Sequence, residues 1–534
     1  MAAPTTSGFQ QGKWRVAAFA VVAAAGWLYC ALFVLPATPL IRTTWAYDQW
    51  VNLEGAMRML GGQRIYIDFF QFTLPGTELL YLTMFKVWGV RAWIPNAILL
   101  MVGVASFWIG LAVSRRIVCG SVSLLPTALF LPIFLAVPDA THHKLSVTVV
   151  LLAMGTLMPN RSGRRLMIAG LLIGLATVFT QSRGLVAVFL CAGFVAWENR
   201  STPTRLIVDE ACLLGAYGAV VAMAVWVLIS RIGLTRFLDL IVVFPLKYYA
   251  TDTRYNTWRA VWYQTMPSLV NLSDAMLFPL YAIVYLLPLA YAILLLRYRR
   301  GREDQTKPWK ALILTATFGV ALLAGGWYSP LFDRLAEASL PALIVSVWLI
   351  STSRWRTPLL KVASTAAIVL MLVSAALAQF GWHGILDLPS GRVAFADTET
   401  YHTYQWLLAH TRPGDEFLEA SDMDDMYLLM HLRNPTQVPY LTANDYTRPE
   451  QVLDAITSLE RDRVKYVLWN DDLDHPIASD APGDHLAPMR DYLHRHYHLT
   501  TSFDCQFSGE CQVFERIDGP GSTHEAADLE PHSP

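Results

Sequence analysis

The chain has 534 residues, 54% of them hydrophobic and 16% charged, with a mean hydropathy of +0.37 and a formal net charge of −1. A soluble protein carries about a quarter charged residues, so this composition excludes a wholly soluble globule. Lys and Arg fall in short clusters between hydrophobic runs, so no nucleic-acid partner is expected. A polytopic membrane protein with a soluble tail domain remains.

Apolar runs of spanning length fall near 14–36, 93–113, 121–138, 144–158, 166–181, 184–198, 207–230, 276–296, 310–327, 338–351 and 358–380, about eleven in all. The first is too long for a signal-peptide core and no cleavage site follows it, so a retained span is expected. Arg115 and Arg116, the Arg161/Arg164/Arg165 group, Arg200 and Arg205, the run from Arg297, and Arg354/Arg356/Lys361 fall on alternate loops and share a side with Lys13 and Arg15. The positive-inside bias makes that side cytoplasmic. A cytoplasmic N-terminus follows, with the acidic, His-rich and aromatic loops and everything after about 384 outside.

The loop from Ala46 to Gly76 contains Asp48, Glu54 and Asp68 and is too long for a simple connector. Asp48 opens a predicted helix, Gln49–Leu60, with Trp50, Leu53, Met57 and Leu60 on its apolar face and Gly61-Gly62 at its end. Such a helix lies in the membrane interface. Tyr66, Phe69, Phe70 and Phe72 bracket Asp68, and Pro75-Gly76 begins a second amphipathic segment. Carboxylates held there reach a polar head group whose lipid tail stays in the bilayer. The plain alternatives are an N-cap for Asp48 and a salt bridge to Arg64 for Asp68.

Further along, Asp139, His142 and His143 in PDATHHK supply oxygen and nitrogen donors without matching a strong metal signature. Asp139 serves equally as a second acid, as an acceptor-orienting group or structurally. The 231–275 segment, with LKYYATDTRYNTWRAVWYQ at its centre, suits a lid or an interfacial aromatic anchor. After 384, apolar-periodic segments at 401–410 and 450–460 alternate with strand-like runs at 464–469 and 511–517, predicting a small α/β domain. Cys505 and Cys511 are expected to close a disulfide there, the alternative being two free thiols. The tail from Gly519 has a disordered composition.

Asp48 just after the first span, the helix ending in Gly61-Gly62, Tyr66-Ile67-Asp68-Phe69, Leu74-Pro75-Gly76, the outer HHK before the fourth span and the outer C-terminal domain together resemble the GT-C superfamily of membrane glycosyltransferases. Within it, the likeness is to the bacterial dolichyl-phosphate-mannose–protein mannosyltransferase and aminoarabinose transferase type. The resemblance implies a polytopic all-α membrane domain of about eleven helices over 1–383, with interfacial helices in the first outer loop. A soluble α/β domain over 384–518 and a tail over 519–534 complete it. It further implies an inverting transfer of a sugar from a polyprenyl-phosphate donor to the hydroxyl of a lipid, glycan or protein acceptor on the outer face. Asp48 would be the general base, with Asp68 and Asp139 as further catalytic acids. Substrate-binding candidates are Glu54, Tyr66, His142 and His143, and for the leaving phosphate Lys144, Arg183, Lys247, Arg254, Arg259 and Arg334. No cofactor is required by it, and a divalent metal is left open. The competing readings are a transporter or flippase of a lipid-linked substrate, a polyprenyl-diphosphate ligase, and a non-catalytic envelope scaffold. Charges at span ends rather than span centres, and no evident repeat, favour the enzyme over the transporter.

Overall fold

The computed structural model describes residues 20–32, 40–41, 47–249, 278–301, 304, 306–327, 329–420, 425–443, 446–474, 483–504 and 509–517. Arg254, Arg259, Cys505, most of the expected lid and the 519–534 tail lie outside the described residues. The chain divides into two compact units, 1–405 and 406–534.

The first unit is helical. Its elements are α1 (Ala20–Leu32), α2 (Tyr47–Leu60), α3 (Gly76–Trp88), α4 (Ile94–Ile117), α5 (Leu125–Phe134), α6 (His142–Leu157), α7 (Gly163–Phe179), α8 (Gln181–Glu198) and α9 (Pro203–Ile232). They continue with α10 (Leu234–Leu238), α11 (Phe278–Leu286), α12 (Leu289–Gly301), α13 (Trp309–Ala324), α14 (Phe332–Glu337), α15 (Leu340–Ser351) and α16 (Arg356–Phe380). A helix lies on every predicted apolar run. Among the described residues four stretches are long and apolar enough to cross a bilayer, Ile94–Ile117, Pro203–Ile232, Leu280–Gly301 and Arg356–Phe380, and four shorter apolar helices accompany them. Two π-helical turns, Asp239–Val243 and Pro245–Tyr249, follow α10.

Charge contacts sort the helix ends as the alternating loops require. Arg161 and Lys310 both bind Glu198, at 2.6 and 3.1 Å, joining three loop ends from one set. Ends of α2, α6, α8 and α14 meet in the polar cluster described below.

A hairpin of β2 (Gly384–Leu388) and β3 (Gly391–Phe395) pairs in parallel with the short β1 (Leu40–Ile41). That pairing puts the hairpin in the first unit, whereas the sequence placed it at the start of the C-terminal domain. The division falls inside α17 (Thr398–His410). The second unit holds β4 (Phe417–Ala420), α18 (Asp425–Met430), α19 (Pro449–Arg461), β5 (Tyr466–Asn470), α20 (Ala487–His496), β6 (Tyr497–Asp504) and β7 (Glu510–Arg516). Its sheet order is β4-β5-β7-β6, with β4 and β5 parallel and the other pairs antiparallel. The buried faces of β5 (YVLWN) account for the unbroken apolar run seen in sequence. Cys511 is disulfide-bonded.

Candidate active site

Helix α2 begins at Tyr47, so Asp48 sits in its first turn, and Gly62, at φ +93°, ends it. Its inward stripe is Gln49, Asn52, Leu53 and Ala56, all nearly inaccessible, while Leu60 is exposed. The predicted apolar face is therefore turned. Two amides point inward because they hold the neighbouring loop: Gln49 Oε1 accepts the Ala140 amide at 2.6 Å. The carbonyl of Ala140 accepts the Tyr81 hydroxyl of α3 at 2.8 Å.

This packing brings the start of α6 against Asp48. Asp48 Oδ2 lies 3.5 Å from His143 Nε2 and 3.6 Å from Arg334 Nη2 of α14, with 43% of the Asp48 side chain still open. The Arg334 guanidinium also donates through both Nη atoms to the Tyr249 hydroxyl at 3.1 Å. The surrounding protein raises the Asp48 pKa, but the His143 hydrogen bond and the neighbouring charges outweigh it and hold the carboxyl well below its ordinary range. Burial, with Arg334 and Arg183 nearby, pushes His142 down to about 4 and His143 well below 6.5, so both rings are neutral at pH 7. Arg334 is thus the standing positive charge beside Asp48.

Behind this surface lies a buried ionic chain. Lys144, 1% exposed, donates to Asp139 and to the Val137 carbonyl at 2.6 Å, and lies 3.8 Å from Glu337 Oε1. Arg183, also 1% exposed, donates through Nη1 to Glu337 at 3.1 Å and to the His143 carbonyl at 2.8 Å. Its Nε and Nη2 have no protein partner among the described residues. Burial raises the pKa of Asp139 to about 7, against the pull of Lys144, and raises Glu337 as well. Lys144 is thus engaged internally by Val137, Asp139 and Glu337.

The remaining sequence candidates fall elsewhere. Asp68 is bound by Arg64, at 3.1 Å from Nη2 and 2.7 Å from the backbone amide, with Arg58 as its other charged neighbour. The surface salt bridge accounts for it. An exposed pair of this kind is worth about 1 kcal/mol at most, so Asp68→Asn is expected to keep activity within about threefold and thermal stability nearly unchanged. Glu54 pairs with Arg58 at 3.2 Å. Tyr66, fully buried, packs with Leu74, Leu228, Phe237, Leu240 and Ile241 and donates to the Thr73 carbonyl at 2.5 Å, so packing explains its place. Lys247 lies 4.9 Å over the Tyr248 ring.

Asp48, His142 and His143 each offer a ligand atom within 4.8 Å of the others, a donor set compatible with a divalent metal. This trio replaces the Asp139–His142–His143 grouping of the sequence, because Asp139 is taken by Lys144. Arg334 holds a positive charge 3.6 Å from the same Asp48 oxygen and opposes a second cation there.

The sequence also passed over Glu78, in the first turn of α3. It is fully buried, accepts from Gln71 Nε2 at 2.8 Å, and its Oε2 has no partner. Burial raises its pKa from 4.5 to about 7. An acid with a raised folded pKa loses stability as pH climbs from the unfolded to the folded value, here about 4.5 to 7, and the loss is complete above it. The shift is worth on the order of 3 kcal/mol. Glu78→Gln is therefore expected to unfold at a higher temperature than the parent at pH 8 and at about the same temperature at pH 4.5; equal curves at pH 8 would contradict this.

No protein-family model matches the sequence, and no curated protein matches it. Solved structures do. ArnT from Cupriavidus metallidurans, bound to undecaprenyl phosphate, aligns with a TM-score of 0.55 over 94% of this chain and 99% of that chain, at 11% identity. The mycobacterial arabinofuranosyltransferase AftD aligns with a TM-score of 0.48 over 93% of this chain at 14% identity, and the match covers 39% of AftD. The likeness to ArnT shows a shared fold.

Proposed function

We propose that this protein is a membrane glycosyltransferase that moves a sugar from a polyprenyl-phosphate donor to an acceptor hydroxyl, with inversion, at the outer face of a bacterial inner membrane. The observation carrying the reading is the ionised, solvent-open Asp48 beside Arg334 and a buried Arg183 with two unpartnered donors. A carboxylate of this kind takes the proton of an attacking hydroxyl, while guanidinium groups stabilise charge growing on a leaving phosphate. The shared fold with a protein bound to undecaprenyl phosphate supports the donor class.

In this scheme the acceptor oxygen attacks the anomeric carbon, its proton passes to the Asp48 carboxylate, and the anomeric C–O bond breaks toward the phosphate. Arg334, beside Asp48, binds the phosphate, and Arg183 reinforces it from beneath His143. Lys144 holds Asp139 and Glu337 in place. Neutral imidazoles leave Asp48 free to act as the base.

The test is glycosyl transfer by purified protein in lipid, using a panel of radiolabelled polyprenyl-phosphate sugars. Label appearing on an acceptor or in water supports the reading. Saturable donor binding without turnover of any donor shifts it to a transporter.

A further inference from the structure

Asn52 lies four residues after Asp48 on the inner face of α2 and is 3% exposed. Its Nδ2 donates to the backbone oxygen of Asp48. A carbonyl oxygen only accepts, so this contact fixes which end of the amide is nitrogen. The same Nδ2 lies 3.4 Å from His142 Nδ1. An amide NH2 has hydrogens to give and no lone pair to offer, so Nδ1 must be the acceptor. The proton of the neutral ring is then on Nε2. That nitrogen has no protein partner among the described residues, and it is not one of the buried, unsatisfied atoms. It therefore opens toward the accessible side of the site, where His142, His143 and Asp48 converge within 4.8 Å.

We propose that Asn52 is a positioning residue that locks His142 in its Nε2–H tautomer, so that His142 presents a neutral N–H to a phosphoryl oxygen of the donor beside Asp48. The tautomer follows from geometry alone; the phosphoryl partner rests on the function proposed above. A neutral donor suits this place. It binds the developing phosphate charge without competing with the acceptor hydroxyl for Asp48. A ring protonated at Nε2 also offers no lone pair there, which takes His142 out of the metal-ligand trio. His143 is set likewise, since a carboxylate 3.5 Å from its Nε2 can only accept.

The experiment is nitrogen-15 NMR of histidine-labelled full-length protein in nanodiscs, with the His142 signals assigned by their loss in His142→Gln. The expected wild-type spectrum has Nε2 protonated and Nδ1 unprotonated. In Asn52→Asp the carboxylate accepts instead, and the proton moves to Nδ1. Adding undecaprenyl phosphate to the wild type is expected to shift the Nε2–H signal downfield while the ring stays neutral. His142→Leu is expected to weaken undecaprenyl phosphate binding about 10- to 100-fold, the value of a hydrogen bond to a charged acceptor; His142→Gln, which keeps an N–H, weakens it less.

A protonated Nδ1 in the wild type, or a metal-bound Nε2, overturns the tautomer lock without need of any variant. Binding of undecaprenyl phosphate with no change at Nε2 overturns the role as donor. No binding of undecaprenyl phosphate at all overturns the donor class, and with it the role given to His142, while the tautomer itself stands.

Discussion

Asp48→Asn is expected to fold normally and to lose at least about 100-fold in turnover, the lower end of what a general base contributes. The substitution keeps the size of the side chain and removes only the ability to take a proton. His143 and Arg334 still find an oxygen at the same place, so thermal unfolding should change little. The pH dependence gives a second view of the same group. Asp48 is held below the ordinary carboxylate range of about 3.9, so the wild-type rate should show no acid limb from this residue above about pH 4. Arg334 is the permanent charge that lowers it. Arg334→Met removes that charge, raises the Asp48 pKa, and should bring an acid limb into the accessible range. Wild-type turnover in Asp48→Asn would remove this carboxylate from the chemistry.

Lys144→Met is expected to produce the largest loss of stability, about 3–5 kcal/mol, the cost of breaking a buried ion pair. The lysine is enclosed and serves Val137, Asp139 and Glu337 at once. Its removal leaves two buried carboxyls facing one guanidinium. The sign with pH follows from Asp139, whose folded pKa is already raised to about 7 and rises further without Lys144. A raised acid is protonated in the fold and ionised when unfolded at neutral pH, so the variant should be less stable at pH 8 than at pH 5. Asp139→Asn in the same background should restore much of the loss, because it removes the uncompensated charge. Unfolding in nanodiscs at the two pH values checks this. A Lys144→Met protein as stable as the parent at pH 8 would mean that the lysine is not the tie described.

The two substitutions separate the cluster into a surface that reacts and a base that holds it. Asp48, with 43% of its side chain open, meets His143 and Arg334 at that surface, while Lys144, Asp139 and Glu337 are closed upon one another. Arg183 belongs to both, tied to Glu337 and the His143 carbonyl yet with two donors unused.

The eleven apolar runs could be read directly, since a segment placed in hydrocarbon must satisfy its backbone internally and therefore forms a helix. Strand β5 was legible for a similar reason: both of its faces are covered, which demands continuous apolar residues. Asp48 stood out because it follows a first span and opens a helix ending in Gly-Gly, with a plain N-cap as the alternative employment. Residue type did not separate it from Asp68, which has the same chemistry and a local partner four positions away.

What the sequence by itself determined about this protein was local: which stretches turn into helices, which loops share a side, and which of those loops hold acids and histidines. Only the tertiary structure decided which charges meet. Arg334 is far from Asp48 in the chain, and Glu337 gathers Arg183 and Lys144 from two other helices. Such pairings are set by helix packing, and periodicity has no memory of it. The inward amides of α2 and the buried Glu78 escaped for the same reason, because a polar residue on a helix is expected to face water. Here a neighbouring loop or a second helix supplies its partner instead, and the face that the pattern would turn outward is the one that builds the site.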